Sequence, residues 1–273
     1  MNSYCDDTSI LNMPISRPRE YISGFSSVYK KRREGAQFVD LLERVSDVSS
    51  NVRFRFTSPH PKDFPLALLE LIQSKPNICK QIHLPAQSGS NLVLERMRRG
   101  YSRETYLNLV SQIREIIPQV TLSSDFISGF VGETEDDHKS TLDLIDSVGY
   151  DMAYMYAYSM REKTMAHRRF VDDVPEEVKQ RRLREVIDLF YSKLYALNQR
   201  FLGSRQLILI EGPSKKDSSV LQGRTDGNKI VIVENSFDCL APGDYAEVII
   251  SGTSKTALTG KFLKKSSIKE FKG

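Results

Sequence analysis

Four short stretches concentrate polar side chains, and three of them add glycine or proline: "TSPHP" (57–61), "PAQSGS" (85–90), "SGFVGET" (128–134) and "YSMR" (158–161). Gly129 and Gly132 carry no side chain and let the backbone approach a ligand closely. Backbone N–H groups before Thr134 open a helix, and such a helix start attracts an anionic or polar group. Gln87 and Ser88 offer donors and acceptors suited to a ribose or an amino-acid carboxylate. Any one of these glycines alone does no more than turn the chain. Four such turns at the same ends of successive strands make a binding site.

Other chemistry is sparser. Cys5, Cys79 and Cys239 are far apart, with no CxxC or CxxxCxxC spacing, so a local zinc or iron–sulfur motif is excluded. The odd count argues against a disulfide framework. Cys79 and His83 stand four residues apart, but His83 falls in a strand, so the pair reads as structural. His60, between two prolines, suits a turn as well as a ligand contact, while His138 and His167 lie in charged surroundings and are expected at the surface. No Ser-His-Asp order, P-loop or HExxH motif appears, and "SGTSKT" (251–256) lacks the end of a P-loop. Two basic runs, "MREKTMAHRR" (160–169) and "KQRRLRE" (179–185), offer cations to phosphates. The first leaves a strand end and is the better placed; the second reads as a charged helix face.

The turns require strands to carry them. "VRFRFTSPHP" begins as a strand, and "PLALLELIQSK" follows as a helix with Pro65 at its first position and Pro76 beyond its end. "QIHLPAQSGS" is a strand ending in a Ser/Gly turn. "SRETYLNLVSQIREIIP" puts Leu109, Ile113, Ile116 and Ile117 on one helical stripe. "VTLSSDFI" is a strand, and the helix after it starts at Thr134, with Asp137 completing a capping box, and leaves at Gly149. "MAYMYAYS" is a further strand. Strands recurring every 30 to 40 residues or so form βαβ units, hence a parallel α/β sheet or partial barrel. "PEEVKQRRLREVIDLFYSKLYALNQRFLG" is the longest helix, ending at Gly203. Beyond it the period falls to two, and five β runs in about 60 residues describe a small closed OB-like barrel, a shape that often binds nucleic acid.

The 273 residues, 40% hydrophobic, are enough for two domains, and no apolar run approaches a membrane span. The first residues lack the layout of a secretory signal and are too acidic for a good transit peptide. Net charge is +4, and the last stretch holds Lys255, Lys261, Lys264, Lys265, Lys269 and Lys272 against Glu270. Such a tail suits a polyanion or is simply solvated.

"RFTSPHPKDF", "QIHLPAQSGSNLVLERMRRGYSRETY", "SSDFISGFVGETEDD" and "YAYSMR" together resemble the radical-SAM methylthiotransferases that modify tRNA, and "LQGRTDGNKIVIV" with "PGDYAEVIISGTSKTALTGKFL" resembles the TRAM domain that follows them. The likeness runs from about residue 52 to 264 and is strongest to the animal mitochondrial branch, whose larger members also interact with an activator of a cyclin-dependent kinase. "MNSYCDD" resembles a loop of the same barrel. The resemblance implies a linker remnant (1–51), the C-terminal part of a (β/α) radical-SAM barrel (52–202), an OB-like TRAM barrel (203–266) and a basic tail (267–273). It implies S-adenosylmethionine near Gln87, Ser88, Gly129, Glu133, Ser159 and Arg161, and tRNA on the TRAM barrel at Arg224, Lys229, Lys261, Lys264 and Lys265. It also implies [4Fe–4S] clusters, yet the cysteines the family uses for them are not among these residues, so the isolated chain is expected to be noncatalytic. Val131, where the family turn has proline, and "KTMAH" (163–167) depart from the pattern. The competing expectation is a noncatalytic RNA- or partner-binding protein acting through the barrel.

Overall fold

The computed structural model describes residues 5–6, 24–25, 35–57, 60–61, 64–234 and 239–272. Most of residues 1–34, part of the expected linker remnant, lies outside the described residues. Strand β1 (Cys5–Asp6) pairs antiparallel with β2 (Ala36–Gln37). Helix α1 (Phe38–Val48) follows inside the stretch expected to be linker. Its Leu42 is buried, and Phe38 meets Phe56 edge-on with centroids 5.2 Å apart. The Asp40 carboxylate accepts from the Gln37 N–H at 2.7 Å, which fixes the helix start.

The strand expected from residue 52 is reduced to one parallel bridge, Phe54 to Ile78. The Phe54 N–H donates to the Asn77 carbonyl and its own carbonyl accepts from the Cys79 N–H, while the flanking Arg53 and Arg55 side chains reach to the second domain. Then come α2 (Leu66–Ser74), β3 (Gln81–His83), α3 (Asn91–Arg96), α4 (Arg103–Ile116), β4 (Thr121–Ser128), α5 (Glu135–Val148), β5 (Met152–Ala157), α6 (Met165–Arg169) and α7 (Glu176–Gln199). Pro65 caps α2 rather than opening it. The α5 capping box forms between Thr134 and Asp137, and Gly149 leaves the helix at φ +64°. Helix α7 stops at Gln199, short of Gly203, because Phe201 and Leu202 bond back to Asn198 and Gln199 in a tighter final turn.

Strands β3, β4 and β5 form a parallel sheet in that order. One face shows Ile82, Leu122, Phe126, Ala153 and Met155, which pack into the main core with residues of α4, α5 and α7. The alternation of a strand sends Gln81, His83, Ser123, Asp125, Tyr154 and Tyr156 to the other face. Tyr154 and Tyr156 are exposed there. Helices thus cover one side only, as in a segment of barrel wall.

Strands β6 (Arg205–Pro213), β7 (Leu221–Arg224), β8 (Ile230–Glu234), β9 (Tyr245–Thr253) and β10 (Leu258–Lys265) close a five-stranded barrel in the order β10-β8-β7-β6-β9. Ile208, Ile210, Val231, Val233, Val248, Ile250 and Leu258 fill it. The stretch expected to be a basic tail turns back, with Ile268 buried against Leu207 and Tyr245 and Phe271 packed beside them.

The two domains meet at the N-terminal ends of the sheet strands, through the turn between β7 and β8. The Lys80 N–H donates to Asp226 Oδ2 at 2.8 Å, and Thr121 Oγ1 donates to the Gly227 carbonyl at 2.8 Å. Arg53 forks onto the carbonyls of Leu207 and Arg224, and Arg55 onto those of Thr225 and Asp226. Asn198, at the end of α7, donates to the Ser254 carbonyl at 2.8 Å. The C-terminal ends of the strands, where the polar turns lie, are at the opposite end.

Candidate functional site

The turn after β3 lies along β4. The Gln87 N–H donates to the Asp125 carbonyl at 2.8 Å, its own carbonyl accepts from Ile127 at 3.0 Å, and its φ is +70°. Ser88 is buried, with its hydroxyl 3.2 Å from Thr141 Oγ1 on α5 and accepting from the Ser90 N–H. At Gly89 the turn touches α5 so closely that a Cβ would stand 2.1 Å from the Ser140 carbonyl oxygen. Ser90 caps α3 and donates to Asp137. Gln87 and Ser88 therefore shape the rim from within.

The turn after β4 is built around a buried ion pair. Glu133 Oε1 accepts from the Gly129 N–H at 2.8 Å and from Arg182 Nη1 at 3.0 Å, while Arg182 Nη2 donates to Glu135 at 2.7 Å. Burial pushes the Glu133 carboxyl up, against the opposing pull of the Gly129 N–H and the Arg182 guanidinium. Gly129 has φ +77°, and a Cβ there would lie 2.3 Å from Lys179 Cγ. Its missing side chain thus makes room for α7, where the sequence had reserved that room for a ligand. At the start of α5 the Thr134 N–H donates to Asp137 Oδ2 at 2.9 Å and the Asp137 N–H to Thr134 Oγ1 at 3.2 Å, so two of its N–H groups are taken within the chain. Ser159 and Arg161, after β5, are exposed. The structure brings Gln87, Ser88, Gly129 and Glu133 to one rim as buried framework and leaves Ser159 and Arg161 as its open polar groups.

Sequence reasoning passed over the uncovered sheet face. His83 Nδ1 lies 3.0 Å from Ser123 Oγ, its Nε2 lies 3.4 Å from Asp125 Oδ1, and its ring meets that of Tyr154 at 5.8 Å. The signal was the polar side of the alternation in three consecutive strands. His138, expected at the surface, is buried instead: α7 covers it, and its Nε2 is 2.7 Å from Glu185 Oε2. Burial holds this imidazole below its ordinary value, against the pull of Glu185. His167 is exposed, as expected.

On the barrel, the five cations expected to meet RNA part company. Lys229 is buried at the domain junction, with Nζ 3.1 Å from Asp151 Oδ1 and 2.9 Å from Asn198 Oδ1, and desolvation lowers its pKa. That position makes Lys229 part of the domain junction. Arg224 pairs with Glu211 at 2.9 Å and also reaches Asn228. Lys261, Lys264 and Lys265 are exposed, the last pairing with Asp244 at 2.8 Å.

Residues 23–145 match the Radical SAM superfamily and residues 199–263 the TRAM domain. A CDK5RAP1-like protein of Caenorhabditis elegans is 49% identical over 98% of this chain and 49% of its own length. The mitochondrial tRNA methylthiotransferase CDK5RAP1 of Homo sapiens is 48% identical over 99% of this chain and 46% of its own. A tRNA-2-methylthio-N(6)-dimethylallyladenosine synthase of Pelodictyon phaeoclathratiforme is 44% identical over 85% of this chain and 52% of its own. The chain thus carries, in this order, one stretch similar to the Radical SAM superfamily and one similar to the TRAM domain. It spans about half the length of the curated relatives it matches.

Radical-SAM families use S-adenosylmethionine and an iron–sulfur cluster. The donors here do not fit a cluster. Among the described residues no group of three or more Cys, His, Asp or Glu could hold a metal ion. Burial pushes the Cys79 thiol up to about 12, the reverse of what a thiolate ligand needs, and Cys239 is exposed on the other domain.

Proposed function

We propose that this chain forms the C-terminal part of a tRNA methylthiotransferase, contributing the cofactor-binding rim and the RNA-binding barrel to 2-methylthiolation of isopentenyladenosine next to the anticodon. The observation that carries the reading is the order of radical-SAM and TRAM matches along the chain, together with relatives named for that reaction. S-adenosylmethionine binds at the rim, where Ser159 and Arg161 offer exposed polar groups and the buried Glu133–Arg182 pair and Gln87 fix the turns beneath them. When bound, it supplies the radical and the methyl group. The chain's own residues orient it and hold the rim rigid. Transfer RNA lies on the barrel along Lys261, Lys264 and Lys265, with Arg224 available once its exposed pair with Glu211 exchanges. Relatives named mitochondrial support that compartment. Contact with a kinase activator rests on relatives' names alone.

On this reading the 273 residues by themselves bind RNA without catalysing the reaction, because, of the described cysteines, Cys79 is buried and Cys239 stands exposed on the other domain. Anaerobic reconstitution of the purified chain tests this, read by iron and sulfide content and by S-adenosylmethionine cleavage. Retained tRNA binding without a cluster is the expected result. A stoichiometric cluster with cleavage would overturn the noncatalytic reading, and absence of tRNA binding would overturn the role of the barrel.

A further inference from the structure

We infer that the groove between α3 and α6 is a second RNA-binding surface, gripping backbone phosphates at the end of the sheet remote from the barrel. The inference rests on the reading that the chain binds RNA. Glu95, Arg96, Arg98, Met165, Arg169 and Phe170 line this groove. Its floor is apolar: Met165 is 41% exposed, and Phe170 and Ala166 continue into a small cluster with Val93, Phe130 and Val131. Its walls are cationic. Arg96 is held in place by the Gly132 carbonyl, to which Nη1 donates at 2.6 Å.

Several surface cations elsewhere are neutralised, as Arg103 is by Asp143, Arg181 by Glu135 and Glu185, and Lys193 by Asp146. Arg98, Arg168 and Arg169 have no carboxylate partner among the described residues. The acids nearest in sequence are already used, Asp172 by Lys179 and Asp173 by the Gly132 N–H. Next to Arg98, Arg99 keeps its Nε buried without an acceptor. Glu95 is the one carboxylate among the residues that line the groove.

Guanidinium groups beside an apolar floor match a nucleotide strand, whose phosphates take the planar forks while sugar or base covers methionine and phenylalanine. The placement also accounts for the basic end of the run "MREKTMAHRR" at Arg169, which the rim and the barrel leave unused.

The test titrates a labelled anticodon stem-loop RNA into the full chain between about 50 and 200 mM salt. Three proteins are compared: the unaltered chain, a groove variant (Arg98→Gln, Arg169→Gln) and a barrel variant (Lys261→Gln, Lys264→Gln, Lys265→Gln). The groove variant should lower the slope of log K against log salt by about 1 to 2, with loss of affinity, and Arg→Lys changes at its two positions should restore the slope. Circular dichroism melts check that each variant is folded. If the groove variant keeps the full slope while the barrel variant loses affinity, the groove is not an RNA surface and the inference fails alone. If the unaltered chain binds no RNA, the function itself is misread. Binding of an acidic peptide in place of RNA, abolished in the groove variant, would overturn the inference in favour of a protein partner.

Discussion

Glu133 and Arg182 are the most deeply placed charges of the rim, with side chains 1% and 4% exposed. Removing one partner strands the other in a desolvated site, so Arg182→Met should cost about 3–5 kcal/mol in denaturant unfolding. Adding Glu133→Gln should recover most of that loss, because the amide oxygen still accepts from Gly129. His138 gives a residue-scale pH dependence. Its folded pKa lies below the ordinary value, so as pH falls through about 6.5 the unfolded chain takes up a proton that the folded chain refuses. Stability contributed by neutral His138 is complete above that pH and drains away on acidification. A His138→Gln variant should therefore show a flatter fall in Tm between about pH 7.5 and 5.5. At this scale the sequence was legible where a residue answers to its near neighbours, as Thr134, Asp137 and Gly149 do at the ends of α5. It was not legible at His138 or Lys229, whose surroundings come from α7 and from the domain junction, 47 and 78 residues away for their partners Glu185 and Asp151.

Among elements, α5 depends on its start. Its Thr134 hydroxyl accepts from the Asp137 N–H at 3.2 Å, and Asp137 returns a bond to the Thr134 N–H at 2.9 Å. Thr134→Ala should cost about 1 kcal/mol, measured as a shifted urea midpoint with unchanged slope. Helix α7 joins three environments on one buried stripe. Arg182 serves the rim, Val186, Phe190 and Leu194 serve the core, and Asn198 serves the barrel. The apolar middle was legible from helical spacing; the buried polar ends were not, because charged residues read as surface. Helix α1 carried the pattern Phe38, Leu42 and Val45 with Asp40 at its start, a signal overlooked beside the irregular segment before it. The strand expected at 52–58 failed for the opposite reason. Its residues favour an extended chain, but a strand also needs a paired edge, which the sequence of one segment cannot supply.

For the molecule as a whole, the junction between sheet and barrel is made from forks and buried amides rather than from a broad apolar seam. Arg53 and Arg55 together donate four bonds to barrel carbonyls. Replacing both with alanine should uncouple the domains, so that calorimetry resolves two unfolding transitions where the unaltered chain gives one. The order of the domains and the closed barrel were legible from the change of hydrophobic period at Gly203. Their mutual placement was not, since it rests on backbone carbonyls that no side-chain pattern announces.

If RNA is held at both ends of the molecule as proposed, that placement sets the length it needs. The barrel sits below the sheet and the polar rim above it, separated by at least the eight residues of β4, about 26 Å at roughly 3.3 Å each. A stacked strand advances on the order of 3.4 Å per nucleotide, so roughly seven or eight nucleotides are needed to reach from one end to the other. Shorter oligonucleotides engage a single end and forgo the gain in effective concentration that comes from being held twice. On that proposed reading, avidity, more than the strength of either surface, selects a structured RNA arm over a short single-stranded fragment.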